Sequence, residues 1–575
     1  MRGKGNRVRG FLLLLMAVAS AAQGWGQMPV AALPQVYLDT TWNPPSGGKT
    51  WKAHTAAEFQ RALDSSSPGD VIVLDSGASY LGSFTVPAKT NPSHKWIYIE
   101  GSELASLPAS GTRVDPDKNA AKMPKIVATD VSPAISFTPG TSNYRLVGLE
   151  FYSTSKQGCD LRHVPPVNCF TYFLIDMPAE QGKALPDSIT VDRCYVHGSD
   201  TQDVRGGVVA NGSNIAVVDS YISEIHQSTM DSQAIRAYWT PGPIKVVNNF
   251  LSSTTENLMF GGAGGADNPY VPSDIEIRNN YFFKPEKWAV KGKTLPPAAQ
   301  WSAKNLLEFK NARRVLVTGN IFENNWAAAQ FGYAIVLTVR TSDSGNIAVV
   351  NDITIENNVL ENVASGFNSL EHDDLCKLPR APFCNNRGEA RRWKIANNLI
   401  LLRNAGSLGG LRPMAMGISP ELADVVFQHN TVVPAAGTNC WASLYFSVAS
   451  GNKWPLAEST THNLWITDNV LCRPPSGDFG GQGTAGLMSY MGDPSPVEKR
   501  FTGNLILAPG DSAPASFSGG NLLTGGPIRF ADAAGGNYQL VAPKWTKTTD
   551  GKPPGVDANA LKAAMGDAGG TVSGH

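Results

Sequence analysis

The chain has 575 residues with 48 basic and 48 acidic side chains, and its formal net charge is zero. That balance, with no basic run beyond the first ten residues, argues against a nucleic-acid partner. Only 17% of residues are charged, while Gly (57) and Pro (39) are abundant, a composition that suits a loop-rich, strand-built secreted protein.

Residues 1–26 read as an export signal. Arg2, Lys4, Arg7 and Arg9 form a basic head, and Phe11–Ala22 is apolar but too short to span a bilayer. No later stretch approaches the length of a membrane span. The expectation is a secreted or periplasmic protein with no transmembrane anchor, acting as a monomer.

Residues 27–94 form an N-terminal capping segment. Thr55-Ala56-Ala57-Glu58 is a capping box, with Phe59 and Leu63 on one face of a short helix. Ser67–Leu74 then turns into a buried strand, followed by Tyr80–Pro87. Such a helix can plug the end of a strand-built coil, which otherwise exposes core and unpaired strand edges.

Residues 95–510 repeat one phrase: an alternating apolar strand, a residue tolerant of positive φ, an Asn, and a second short strand. Asn249, Asn280, Asn320, Asn358, Asn398, Asn430, Asn469 and Asn504 fall in one column, 31 to 40 residues apart. The residues before them are Asn248, Asn279, Gly319, Asn357, Asn397, His429, Asp468 and Gly503, all of types that tolerate the left-handed region. Earlier turns run through Lys95–Glu103, Tyr144–Phe151, Ile189–Val196 and Ile215–Ile222, with Cys194 and Ser220 in the same column. Repeats of this length mean solenoids or propellers. Neither the four strands of a propeller blade nor the Leu spacing of a leucine-rich repeat is present. The pattern predicts an all-β fold, a right-handed parallel β-helix with an internal Asn ladder. Residues 511–575 are the closing segment and a loose tail.

Of seven cysteines, Cys159 with Cys169 and Cys376 with Cys384 close short loops and are plausible disulfides in an oxidising compartment. Cys440 and Cys472 lie in neighbouring turns and can pair. Cys194 reads as a buried free thiol.

A further strand per turn spans Ala234–Tyr238, Leu258–Phe260, Leu306–Lys310 and Ala334–Arg340. Alternation sends Ile235, Leu307, Phe309, Ile335, Leu337 and Val339 inward. Arg236, Tyr238, Glu308, Lys310, Thr338 and Arg340 point outward on one face. The long insertions 261–272, 284–303, 341–350 and 366–391 belong to these turns and suit the walls of a binding surface.

Repeat and termini together resemble the pectin-lyase-like superfamily over nearly the whole mature chain. The resemblance implies a polysaccharide lyase, hydrolase, epimerase or esterase, or a non-catalytic glycan-binding or structural relative. Subfamily signatures are missing. Val196-His197-Gly198 departs from Gly-His-Gly, Asp373-Asp374 sits in a Cys-bounded loop, and Arg392-Trp393-Lys394 heads a ladder strand as a solvent-facing basic pair.

Cleavage of an acidic polysaccharide by β-elimination needs a base and a cation to stabilise the developing charge. Glu308, Lys310 and Arg340, with Arg236 at the margin, can supply them; the alternative is a cross-strand salt-bridge ladder. Glu256 can be a second carboxylate for hydrolysis, or an ordinary strand-end residue. His197, His226 and Asp231 mark a fallback site or hydrogen-bonded scaffold. Ca²⁺ is possible through Asp200, Asp203, Asp231 or Asp267, but no spacing defines a metal site. Tyr238, Trp288, Trp301 and Trp326, with Trp239 and Tyr270, can stack on sugars or pack the insertions onto the coil.

Overall fold

A computed structural model describes residues 28–566 except 156–170, 201–202, 228–229, 263–267, 290–300, 302, 341–347, 371–388, 404–412, 419–421, 436–439, 447–461, 478–498 and 508–518. The expected pairs Cys159–Cys169 and Cys376–Cys384 lie outside these residues.

Among the described residues, the chain winds as a right-handed parallel β-helix of three sheets with 14, 14 and 12 strands. Sheet A runs from Thr50–Ala53 to Lys499–Thr502, sheet B from Ser79–Leu81 to Leu522–Thr524, and sheet C from Phe84–Val86 to Ser476–Gly477. One turn is Ile244–Val247 in A, Phe250–Ser253 in B and Glu256–Phe260 in C. The next turn stacks on it in register, Ile244 on Ile275, Phe250 on Tyr281 and Leu258 on Leu307. All three sheets have strands before residue 95.

The bend between sheets A and B carries the Asn column. Asn248, Asn279, Gly319, Asn357, Asn397, His429, Asp468 and Gly503 all have φ between 53° and 70°. Each buried Asn then donates Nδ2 to the Oδ1 of the next, at 3.0 Å from Asn358 to Asn398, and its backbone N–H donates to that same oxygen. The second Nδ2 proton goes to carbonyls inside the coil, Val317 O and Glu356 O for Asn358. Every donor and acceptor of the carboxamide is used, so each turn can bury one without a desolvation penalty. Ser220 opens the ladder, donating its N–H to Asn249 Oδ1 at 2.9 Å. Asn521 extends it one turn past Asn504.

The helix Ala56–Ser65 forms as predicted, with one change in its box. Thr55 Oγ1 accepts from Glu58 N, but the Glu58 carboxylate accepts from His54 N rather than from Thr55 N. Phe59 packs on Tyr80 and Phe84 of the first turn. Cys440 and Cys472 are joined, and Cys194 is a buried free thiol.

Two terminal segments cover two of the outer faces. Along sheet A, Ala32 N and Gln35 N donate to Asp352 and Asp274, while Leu38 O accepts from Lys245 and Thr40 O and Thr41 O from Arg145. On sheet B, the helix Ala558–Met565 seats Leu561 and Met565 on Ile321, Val359 and Leu399. Leu107, Val114 and Met123 pack on Tyr195 and Tyr221 of the same sheet. Among the described residues, neither terminal segment hydrogen-bonds to sheet C.

Candidate active site on the third sheet

Glu256 opens a sheet C strand just after a bend at Ser253–Thr255, and a lysine from the next turn fixes that bend. Lys284 is wholly buried, and its Nζ donates to Ser253 O (2.6 Å), Thr254 O (2.9 Å), Thr255 O (2.8 Å) and Asn257 Oδ1 (2.9 Å). Burial pushes the ammonium well below the ordinary lysine value, with Glu256 opposing it. Four oxygens facing three N–H donors nevertheless hold the proton in place. The carbonyl bend is thereby locked, and the Glu256 backbone with it.

The Glu256 carboxylate is fully buried; Oε2 accepts from Gln233 Nε2 at 2.7 Å and Oε1 has no hydrogen-bond donor. Lys304 Nζ lies 3.6 Å from Oε1 and 2.5 Å from Asp231. One turn on, Glu308 accepts from Asn305 Nδ2 at 3.1 Å, and Lys310 Nζ stands 3.4 Å from its other oxygen. Arg340 donates its backbone N–H to Lys310 O from the following turn.

The two carboxyl groups differ in charge preference. Burial raises Glu308, with Lys310 opposing and the Glu256 charge adding to the rise. Burial also works against ionisation of Glu256, but Lys304, Lys310 and the Gln233 bond outweigh it and hold Glu256 below the ordinary range. Paired carboxyl groups whose environments drive them apart can serve as acid and base. Farther along the same face, burial pushes Asp176 up to about 6, with Arg236 pulling the other way.

Glu256, Glu308, Lys310, Arg236, Tyr238 and Arg340 therefore share one face, and Asp231 joins them through Lys304. Pointing outward does not leave these side chains in solvent. Arg236, Glu308 and Lys310 are 8%, 3% and 9% exposed, so they point away from the core yet are shut off from water by their neighbours. The Glu308–Lys310 pair is a buried one, where losing a partner costs far more than at a surface.

Of the two readings of the tryptophans, burial supports packing of the insertions. Trp288 and Trp326 are 1% and 3% exposed and pack with Ala289, Ala303 and Trp301. Trp301 stacks on buried His226 at 3.8 Å. These rings fasten an insertion to the coil. An aromatic that the sequence reading missed is Phe331, 68% exposed beside Gln330, whose Oε1 accepts from Asn305. Lys284, Lys304, Gln233 and Asn305 were also missed. Gln233 and Lys284 meet partners 23 and 31 residues away and Lys304 reaches back to Glu256 on the preceding turn, contacts of which a single sequence carries no mark.

His197 sits on sheet B, stacked on Tyr195 at 4.0 Å and bonded to Glu150 at 3.1 Å. His226 bonds Ser199 O. Both behave as scaffold. Arg392 and Lys394 are not a free basic pair. Arg392 is bidentate to Asp352 at 2.7 and 2.9 Å, and Lys394 meets Glu356 at 2.6 Å. Asp200 and Asp231 are engaged by Lys287 and Lys304. Among the described residues, one trio, His429, Asp468 and Asp550, has metal-ligand spacing. Asp468 there already accepts from Thr549 and Gln428, tying the returning C-terminal segment to the coil.

No protein-family model matches the sequence, and no curated protein matches it. Solved structures do match. An alginate lyase from Paenibacillus sp. str. FPU-7 is 14% identical, with 69% of this chain and 98% of that one covered and a TM-score of 0.33. The PL6 family alginate lyase AlyGC is 12% identical over 88% of this chain and 58% of that one, TM-score 0.42. A polygalacturonase from Erwinia carotovora ssp. carotovora is 12% identical over 73% and 99%, TM-score 0.41. What the three stacked parallel sheets establish is the parallel β-helix fold. Among the described residues, no helix is long and apolar enough to cross a membrane.

Proposed function

We propose that this β-helix acts, as an exported monomer, on an acidic polysaccharide laid along the outer face of sheet C, and cleaves it by acid–base chemistry. The observation that carries this reading is the opposed charge preference of Glu256 and Glu308 on adjacent turns, each with a lysine in attendance. Glu308, on which burial favours the proton, gives it to the glycosidic oxygen as the bond to it breaks. Glu256, kept ionised, takes a proton from the carbon beside a uronate carboxylate in elimination, or from a water in hydrolysis. Lys304 and Lys310 stand at 3.6 and 3.4 Å from these carboxyl groups, too long for strong bonds. A uronate can draw either ammonium away, opening the site while neutralising its own charge.

Burial of both carboxyl groups favours a second reading, a non-catalytic glycan-binding coil in which these pairs only hold adjacent turns together. Incubation with uronate and neutral polymers, with and without Ca²⁺, separates the two. The readouts are the ultraviolet band of unsaturated uronate and new reducing ends. Product from a uronate polymer that disappears in Glu308→Gln supports cleavage, and the band tells elimination from hydrolysis. Glycan binding with neither product supports the second reading.

A further inference from the structure

Four arginines in the described residues are almost fully buried, and three of them have an acid. Arg145 meets Asp192 at 2.8 Å, Arg193 meets Asp192 at 2.9 Å, and Arg403 meets Glu286 at 2.6 Å. Arg236 has none, and its Nε is buried without a hydrogen-bond partner. On the preceding turn Arg205 is in the same condition, half-buried, its Nε also unpartnered. Val209 pairs with Arg236 in the sheet, which sets the two arginines on neighbouring strands.

Aromatic rings surround them. Arg236 lies 4.6 Å from the centroid of Phe173 and 4.8 Å from that of Tyr238. Arg205 is 5.7 Å from both Tyr172 and Phe173. Stacking of this kind offsets part of the cost of burying a cation. It leaves the Nε–H of both guanidinium groups without an acceptor, and the two like charges repel. Burial lowers Arg205, with Arg236 adding to it. The acid on this face that feels Arg236, Asp176, makes no ion pair with it within 4 Å and is itself driven toward its neutral form. Each guanidinium buries an Nε–H with no acceptor, and among the described residues no carboxylate pairs with either, an arrangement that an anionic group would complete.

We infer that Arg205 and Arg236 form an oxyanion subsite that takes one carboxylate or sulfate group of an acidic glycan, with a sugar ring lying against Tyr172, Phe173 or Tyr238. The subsite lies on the two turns before Glu256, so a chain bound there continues toward the carboxyl pair. It rests on the reading of sheet C as a glycan groove, and extends it by fixing where a charge on the glycan must sit.

Calorimetric titration of the full-length protein with trigalacturonate, a 4-sulfated chondroitin disaccharide and neutral maltotriose tests this. The expected result is that at least one acidic probe binds, that affinity falls with added salt, and that maltotriose does not bind. The tighter acidic probe identifies the anion as carboxylate or sulfate. Arg236→Gln and Arg205→Gln should each weaken that binding at least tenfold without lowering the melting temperature, since each removes an unpaired charge. Arg236→Lys, which keeps the charge but loses the fork, should fall between. If the acidic probes bind wild type and both Gln variants equally, the subsite is wrong while the groove stands. If no acidic probe binds at all, the subsite is wrong outright. Cleavage is read separately, because loss of the subsite raises KM while loss of Glu308 lowers kcat.

Discussion

The outer edges of sheets A and C are built from the same kinds of residue and behave in opposite ways. On sheet A, Arg314 grips Asp274 with two bonds of 2.7 and 2.8 Å, and Arg392 grips Asp352 in the same manner. Each aspartate also accepts a backbone N–H from the N-terminal segment, Gln35 at Asp274 and Ala32 at Asp352. On sheet C, one oxygen of Glu256 has no donor, the lysine pairs are long, and two arginines have no acid. A saturated row fastens a strap to the coil. An unsaturated one stores unmet hydrogen-bonding capacity, which a native fold retains chiefly where a ligand will meet it.

The comparison can be strained first at its costliest point. Lys284→Met leaves three carbonyls and an amide oxygen without their donor, and should cost about 3 kcal/mol, read as a large drop in melting temperature. If the loss is negligible, the carbonyl cage does not hold the bend that carries Glu256. The ladder beneath both faces comes next. Asn358→Leu takes the acceptor from Asn320 and the donor from Asn398, for a loss of roughly 1–3 kcal/mol in chemical denaturation. The same change at Asn504, which has Asn521 beyond it, should cost about as much. Only Asn521, half-buried at the end, should be cheaper.

The smallest effect belongs to sheet A. Arg392→Gln breaks a pair partly open to solvent and should cost about 0–1 kcal/mol. Its sign with pH is fixed. Asp352 has its acidity strengthened against burial by the Arg392 bonds, so its folded pKa lies below the unfolded value of about 3.9. That contribution is complete above the unfolded pKa and disappears as pH falls through the folded one. Wild type and Arg392→Gln should therefore converge in stability at low pH. A difference that persists there means the pair is not what distinguishes them.

Much of this fold is legible in the sequence, because two local rules recur at every turn. A residue able to adopt positive φ stands before each column Asn, and period-two alternation sorts Leu307 and Phe309 inward from Glu308 and Lys310. The candidate site is legible as a set of outward polar positions. Its burial is not, since what closes over Glu308 comes from other turns. Lys284 looks like an ordinary residue after Phe283, and nothing local announces that it reaches back 31 residues to Ser253. Arg205 follows Val204 in an unremarkable strand, and its lack of a partner is visible only in three dimensions. Tryptophan count cannot tell a sugar platform from the packing that Trp288 and Trp326 provide. Nor does the sequence reveal that residues 28–43 run along sheet A, because their anchors are backbone groups.

The pH dependence of kcat/KM on a uronate polymer tests the central claim most directly, that burial favours the proton on Glu308 while the lysines favour the charge on Glu256. The account predicts a bell, with an acid limb below the ordinary glutamate value of about 4.3 that belongs to Glu256 and an alkaline limb above it that belongs to Glu308. In Glu256→Gln and Glu308→Gln, kcat/KM should fall to near zero at every pH. No cleavage of any uronate polymer, or a bell unchanged by Glu308→Gln, would contradict it.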